Sequence, residues 1–175
     1  MKENLCFFIL LIIGALFTSC DKSDTINYES DYTRSYNEWL SFKETTGNTY
    51  SYMVTGGSVF GPAWQTVITV TDGKITQRYF KITSITGLEN IPKEALEWTE
   101  NENELNSHNF GAATLTLDQI YDKALNEWLI KRDNAQAYFE TSTNGLISSC
   151  GYVENGCMDD CFMGINIAYV KSLKL

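Results

Sequence analysis

The chain has 175 residues, a formal net charge of −9 at pH 7, 13% aromatic residues and two prolines. So acidic a balance excludes nucleic acid as a partner and argues against direct adsorption to anionic lipid. The aromatic content excludes a disordered chain, and no internal repeat of solenoid period is visible.

The first element is an apolar run, residues 5–17, preceded by Lys2 and Glu3. It is too short for a membrane-spanning helix, which needs about 20 residues, and matches the core of a secretory signal peptide. The run ends Leu16-Phe17-Thr18-Ser19-Cys20, without the small-residue pattern of an ordinary cleavage site. This ending resembles the lipobox of bacterial lipoproteins, which implies cleavage before Cys20 and acylation of that cysteine, palmitate included. Two or more acyl chains, at about 0.8 kcal/mol per buried methylene, hold a protein stably at a membrane. Residues 1–19 are therefore expected to be a signal peptide and 20–29 a polar tether. A single α+β domain is expected over 30–175. The membrane is then a partner through the lipid anchor. Acidic residues just after the cysteine resemble surface-export signals of Bacteroidetes-like lipoproteins, whereas Asp21 in an enterobacterium would signal inner-membrane retention. The expected location is the cell envelope, at the outer membrane on its periplasmic face or at the cell surface.

Within the domain, Tyr32, Tyr36, Trp39 and Leu40 recur at helical spacing and predict a helix over 30–44, stopped by "TTGN". "TYSYMVT" alternates as a strand, and "GGSVFGP" reads as a loop. "WQTVITVTDGKITQRYF" predicts a hairpin about a type I′ turn at Asp72-Gly73, with Val70 facing Ile75 and Ile68 facing Gln77. Residues 81–113 read as a long connection with one helical turn after Pro92. "TLTLDQIYDKALNEWLIKRD" is the strongest helix, with Thr116 and Gln119 as a capping box. Its apolar stripe is Leu117, Ile120, Tyr121, Ala124, Leu125, Trp128 and Leu129, and Lys131 and Arg132 complement its last turn. Three strands follow, in "AYFETS", "GLISSCGYV" and "FMGINIAYVKSL", the last two joined through "ENGCMDDC". The sum is an α+β fold: an antiparallel sheet with one or two helices packed on one face.

The ordered set "NTYSYMV", "VITVTDGKI", "LTLDQIYDKALNEWL" and "NGLISSCGYVENGCMDDCFMGINI" resembles an uncharacterised family of bacterial envelope lipoproteins, a domain of unknown function. Asp159 and Asp160 match the aspartate-rich turn that precedes that family's last strand. Cys161 stands where a third acidic residue is frequent, and the cysteines that many members carry after the "YSY"-like strand are absent here. The resemblance implies a fold and a compartment, and brings no activity.

Three cysteines remain after the leader and the lipidation site: Cys150, Cys157 and Cys161. An exported compartment permits disulfides, and a bond from Cys150 to Cys157 or Cys161 is the expected pairing. Cys157 with Cys161 would require a helical turn, since a strand would hold the two too far apart. No C-x-x-C redox motif or zinc spacing is present. Asp159 and Asp160, with Glu154 and Asn155, are candidate calcium ligands set against an ordinary acidic turn, but no EF-hand order appears. No metal or cofactor is expected. Glu97, Glu100, Glu102 and Glu104 read as a solvated loop. His108, the single histidine, lies in a polar loop without a nucleophile motif and reads as a surface residue. Tyr50, Tyr52, Phe60 and Trp64 flank the Gly-rich loop, where they either line a binding groove or, as the favoured reading, pack as half-buried strand residues. No catalytic residue is assigned. The expected function is binding of an envelope protein, peptide or small ligand. An envelope hydrolase using carboxylates is the alternative, and two carboxylates converging in a cleft would distinguish it from a shallow aromatic binding surface.

Overall fold

The computed structural model describes residues 25–58, 61–84, 88 and 90–174. The leader, Cys20 and Phe60 lie outside the described residues. The elements are α1 (Glu29–Thr46), β1 (Tyr50–Gly57), β2 (Ala63–Thr71), β3 (Lys74–Ile82), α2 (Lys93–Leu96), β4 (Glu97–Asn101), α3 (Leu117–Lys123), β5 (Ala135–Thr141), β6 (Ile147–Glu154) and β7 (Met163–Ser172). The fold is α+β. Seven antiparallel strands form one open sheet in the order β4-β3-β2-β1-β7-β6-β5. Among the described residues, no helix is long and apolar enough to cross a membrane.

α1 runs through the two threonines expected to stop it, and Thr46 bonds its hydroxyl back to the Phe42 carbonyl at 2.9 Å. The stop is Gly47, whose φ of 57° lets the chain reverse while Asn48 N–H reaches the Lys43 carbonyl. Tyr32, Ser35 and Trp39 form the buried face, while Leu40, expected in the stripe, is exposed. α3 starts on the expected capping box: Gln119 N–H donates to Thr116 Oγ1, and Thr116 N–H to Gln119 Oε1 at 2.8 Å. Beyond Lys123 the helix widens to a π-turn over Ala124–Trp128, closed by Leu129 N–H on the Ala124 carbonyl at 3.0 Å. The extra residue per turn rotates the later side chains. Leu125, expected in the stripe, is exposed, whereas Trp128 and Leu129 are buried. Arg132 does not sit within the last turn. It folds back to donate to the carbonyls of Glu127, Trp128 and Ile130.

The hairpin turn at Asp72-Gly73 has both φ angles positive, as a type I′ turn requires, and Val70 pairs with Ile75. A bulge between Thr69 and Val70 then shifts the register, so Ile68 faces Arg78 and not Gln77. Opposed residues share a sheet face, and a one-residue shift exchanges the faces. That bulge is why Arg78, Phe80 and Ile82 are buried and Gln77 and Lys81 are not.

Aromatic hydroxyls fix the helices to the sheet. Tyr121 lies between α1 and β6: its hydroxyl is 2.7 Å from Ser35 Oγ and accepts Ile147 N–H at 3.0 Å. Tyr50 accepts Leu117 N–H at 2.9 Å, and Tyr52 donates to the Leu115 carbonyl. Trp39 Nε1–H and Lys43 Nζ both donate to Asp118, at 2.9 and 2.7 Å, joining α1 to the start of α3. These rings form the main core with Ile68, Val70, Leu117, Ile120 and Leu129.

Three expectations are corrected. Ile26, expected in the tether, is buried and bridges Ile130, so the folded body begins before residue 30. The long connection contains a strand, β4, so Glu97 and Glu100 are sheet residues and not members of a solvated loop. The disulfide joins Cys157 to Cys161, with Cα atoms 6.1 Å apart, and Cys150 is a free thiol buried in the core. The β6–β7 loop folds back on itself, with Asp160 at φ 49°, which supplies the tight turn that a strand could not. The length of that loop puts Cys150 opposite Ile165 on β7, and the β5–β6 hairpin puts it opposite Phe139.

Candidate functional site

Two side-chain constellations stand out. The first is a buried ion pair. Arg78 and Glu100 face each other across β3 and β4. Nε of Arg78 donates to Oε2 at 2.9 Å and Nη2 to Oε1 at 2.8 Å, the bidentate geometry that a guanidinium favours. Their side chains are 4% and 1% exposed. The chain returning over this pair supplies the remaining donors. Asn106 N–H, His108 N–H and Ser107 Oγ reach Glu100 at 2.8, 2.7 and 3.1 Å, and Arg78 donates to the carbonyls of His108 and Ala112. Burial by itself would push the Glu100 carboxyl up. Hydrogen bonds from Arg78, from the His108 and Asn106 amides and from the His108 side chain outweigh it and hold the carboxyl down at about 2.

His108 Nδ1 lies 3.0 Å from Glu100 Oε1, and the ring stacks on Trp98 at 4.1 Å with 5° between planes. An ionised carboxylate only accepts, so Nδ1 is the donor of this contact. A Ser-His-acid triad needs the acid and the hydroxyl on opposite ring nitrogens. Here Ser107 Oγ is 3.3 Å from Nδ1, on the same side as Glu100. The arrangement is a clip that fastens residues 105–112 to the sheet. Glu97, Glu102 and Glu104 are exposed, and Glu97 pairs with Lys81 and Tyr79. Glu100 is the one buried acidic residue among the described residues, and Arg78 neutralises it.

The second constellation is a groove where the sheet divides. β1 and β7 pair only from Tyr50↔Ser172 to Val54↔Ile167. Beyond that point β1 stays with β2 as far as Gly57↔Ala63, while residues 163–166 of β7 pair with β6. The two parts of the sheet separate there, leaving a groove of about 550 Å³. Trp64, Phe110, Phe162, Val54 and Ile165 supply its apolar lining. Glycines permit the close approaches. A Cβ at Gly56 would stand 2.2 Å from the Trp64 indole, and one at Gly151 would stand 2.6 Å from the Phe162 ring. The groove is continuous with the clip: Trp64 and Phe110 both contact Phe80, which stacks on Trp98 at 5.0 Å. By contrast, the depression between α1 and the β5–β6 turn is polar, lined by Asp31, Arg34, Glu38 and Thr141.

Of the residues singled out in the sequence, Trp64 is half-buried in the groove wall, and Cys161 and Asp160 lie on its rim. Tyr50 and Tyr52 are fully buried, with their hydroxyls on Leu117 and Leu115, and belong to the core and not to the groove. Asp159 and Asp160 are exposed. Among the described residues, no group of three or more His, Cys, Asp or Glu is placed to hold a metal. Sequence reasoning missed Phe110 and Phe162. Phe110 sits alone in a polar segment, and Phe162 reads as part of the last strand. No protein-family model matches the chain, and no curated protein or solved structure is significantly similar to it.

Proposed function

We propose that this protein is a lipid-anchored component of the bacterial cell envelope that acts by binding and not by catalysis, with the groove between β1 and β7 as its binding surface. The observation that carries the reading is the aromatic lining. Phe110 is 64% exposed, yet it is positioned by Phe80 and by a loop that the Arg78–Glu100 pair fastens. Large apolar side chains positioned around a concave space are what a binding site needs. The Glu100 carboxylate, fully engaged by donors, is unsuited to the acid–base work of the hydrolase alternative. The envelope location rests on the leader, the lipobox-like ending at Cys20 and the resemblance to envelope lipoproteins.

Two experiments test this. Cys20→Ala should block processing and move the protein out of the detergent phase in a Triton partition; normal processing with retained membrane association would refute the anchor. In pull-downs from native envelopes, a partner held by the wild-type domain should be lost from Trp64→Ala and Phe110→Ala. Equal retention by both variants would refute the groove.

A further inference from the structure

We infer that the groove is an acceptor for an extended, cationic peptide segment, which adds as a short strand at the division of the sheet. This rests on the proposed binding role of the groove and names its ligand class. The argument begins with the backbone. In an antiparallel ladder, successive residues direct their N–H and C=O groups alternately to the two sides of the strand. Residues 55–57 satisfy one side with β2, and residues 163–166 satisfy one side with β6. Their other sides face each other across the groove, and no ladder pairing joins them, since β1 and β7 part at Val54↔Ile167. Among the described residues, two short edges thus lack a ladder partner on the sides that face one space. Gly56, Gly57 and Gly164 stand on those edges and send no side chain into the groove; the space a Cβ would take at each is filled by Trp64, Ala63 and the Cys150 carbonyl. Because β1 and β7 are antiparallel, an inserted segment runs antiparallel to one edge and parallel to the other. Main-chain bonds give such addition its affinity, and pockets for alternate side chains give it selectivity. Here the apolar pocket is the one formed by Trp64, Phe110 and Phe162.

Charge chooses the occupant. Asp160 is the one charged residue lining the groove, and Asp159 precedes it in the same exposed loop. The chain as a whole carries −9, so a second copy would be repelled while a Lys- or Arg-bearing segment is attracted.

The test uses a pooled library of capped hexapeptides built from Val, Ile, Phe, Lys, Arg, Asp and Glu, titrated against the whole mature domain by calorimetry. Binders should alternate apolar with basic residues. Methylating their backbone amide nitrogens, with every side chain kept, should weaken binding about tenfold or more, as loss of one or two backbone hydrogen bonds predicts. Asp160→Asn, on an exposed loop outside the core, should keep the melting temperature and lower affinity for the basic binders. Unchanged affinity after N-methylation would overturn strand addition while leaving a side-chain groove intact. Selection of acidic peptides would overturn the charge assignment. No binder at all, or binders indifferent to Trp64→Ala, would overturn the groove reading itself.

Discussion

Glu100 shows what one residue does to this fold. Its carboxylate receives Arg78, two backbone amides, Ser107 and His108 at a site closed to water. Removing one member of a buried pair leaves the other charge uncompensated, at a cost of about 3–5 kcal/mol. Glu100→Gln should therefore lower stability by about that much in urea titrations and free residues 105–112 for hydrogen exchange. The pH dependence follows in sign. The folded carboxyl is depressed to about 2, so its contribution is complete above the unfolded-state value and is lost as pH falls through the folded value. Stability should decline from about pH 4.5 toward pH 2, and that acid limb should be missing in Glu100→Gln. An acid limb of equal size in both proteins would show that Glu100 is not the group responsible. Cys150 makes a complementary case: burial alone pushes its thiol up to about 12, so in the native protein it should resist thiol reagents.

At the level of elements, the Cys157–Cys161 bond closes a small exposed loop that bears Asp160 and adjoins Phe162. The chain-entropy contribution of so short a loop is roughly 2 kcal/mol. Reduction should lower the melting temperature by about 4–8 °C without unfolding the domain at room temperature. Mass spectrometry of unreduced peptides should find Cys157 joined to Cys161 and Cys150 free; a bond to Cys150 would contradict the fold around β6. The same loop marks a limit of what was legible. Six of the seven strands, α1 and α3, the capping box and the Asp72-Gly73 turn are readable, because periodicity and turn chemistry are local signals. β4 was not, since "EWTEN" is short and buries a glutamate whose compensating arginine is on another strand. The β2–β3 bulge and the π-turn were also invisible, although each decides which side chains face inward. The groove was half legible: Trp64 was identified, but Phe110 and Phe162 converge on it only through the path of the chain.

The described residues form two meanders, β1 to β4 and β5 to β7, joined through a single strand. β7 gives its first half to β6 and its second half to β1. A chain ending at Asn166 would lose every pair between the two meanders, together with Ile167 from the core. It should show no cooperative thermal transition; a truncated protein that still melts sharply would mean that one meander is stable alone. The sharing also governs timing. Tyr50 is among the first sheet residues made, and its partner Ser172 is among the last. The decisive closure therefore joins nearly the two ends of the domain, and loop-closure entropy must be overcome before that contact contributes anything. Refolding should be limited by this step and occupy milliseconds to seconds, as for other sheets built on distant pairings. Until it occurs, β1 has a bare edge, so a stalled or shortened chain is open to pairing with its neighbours.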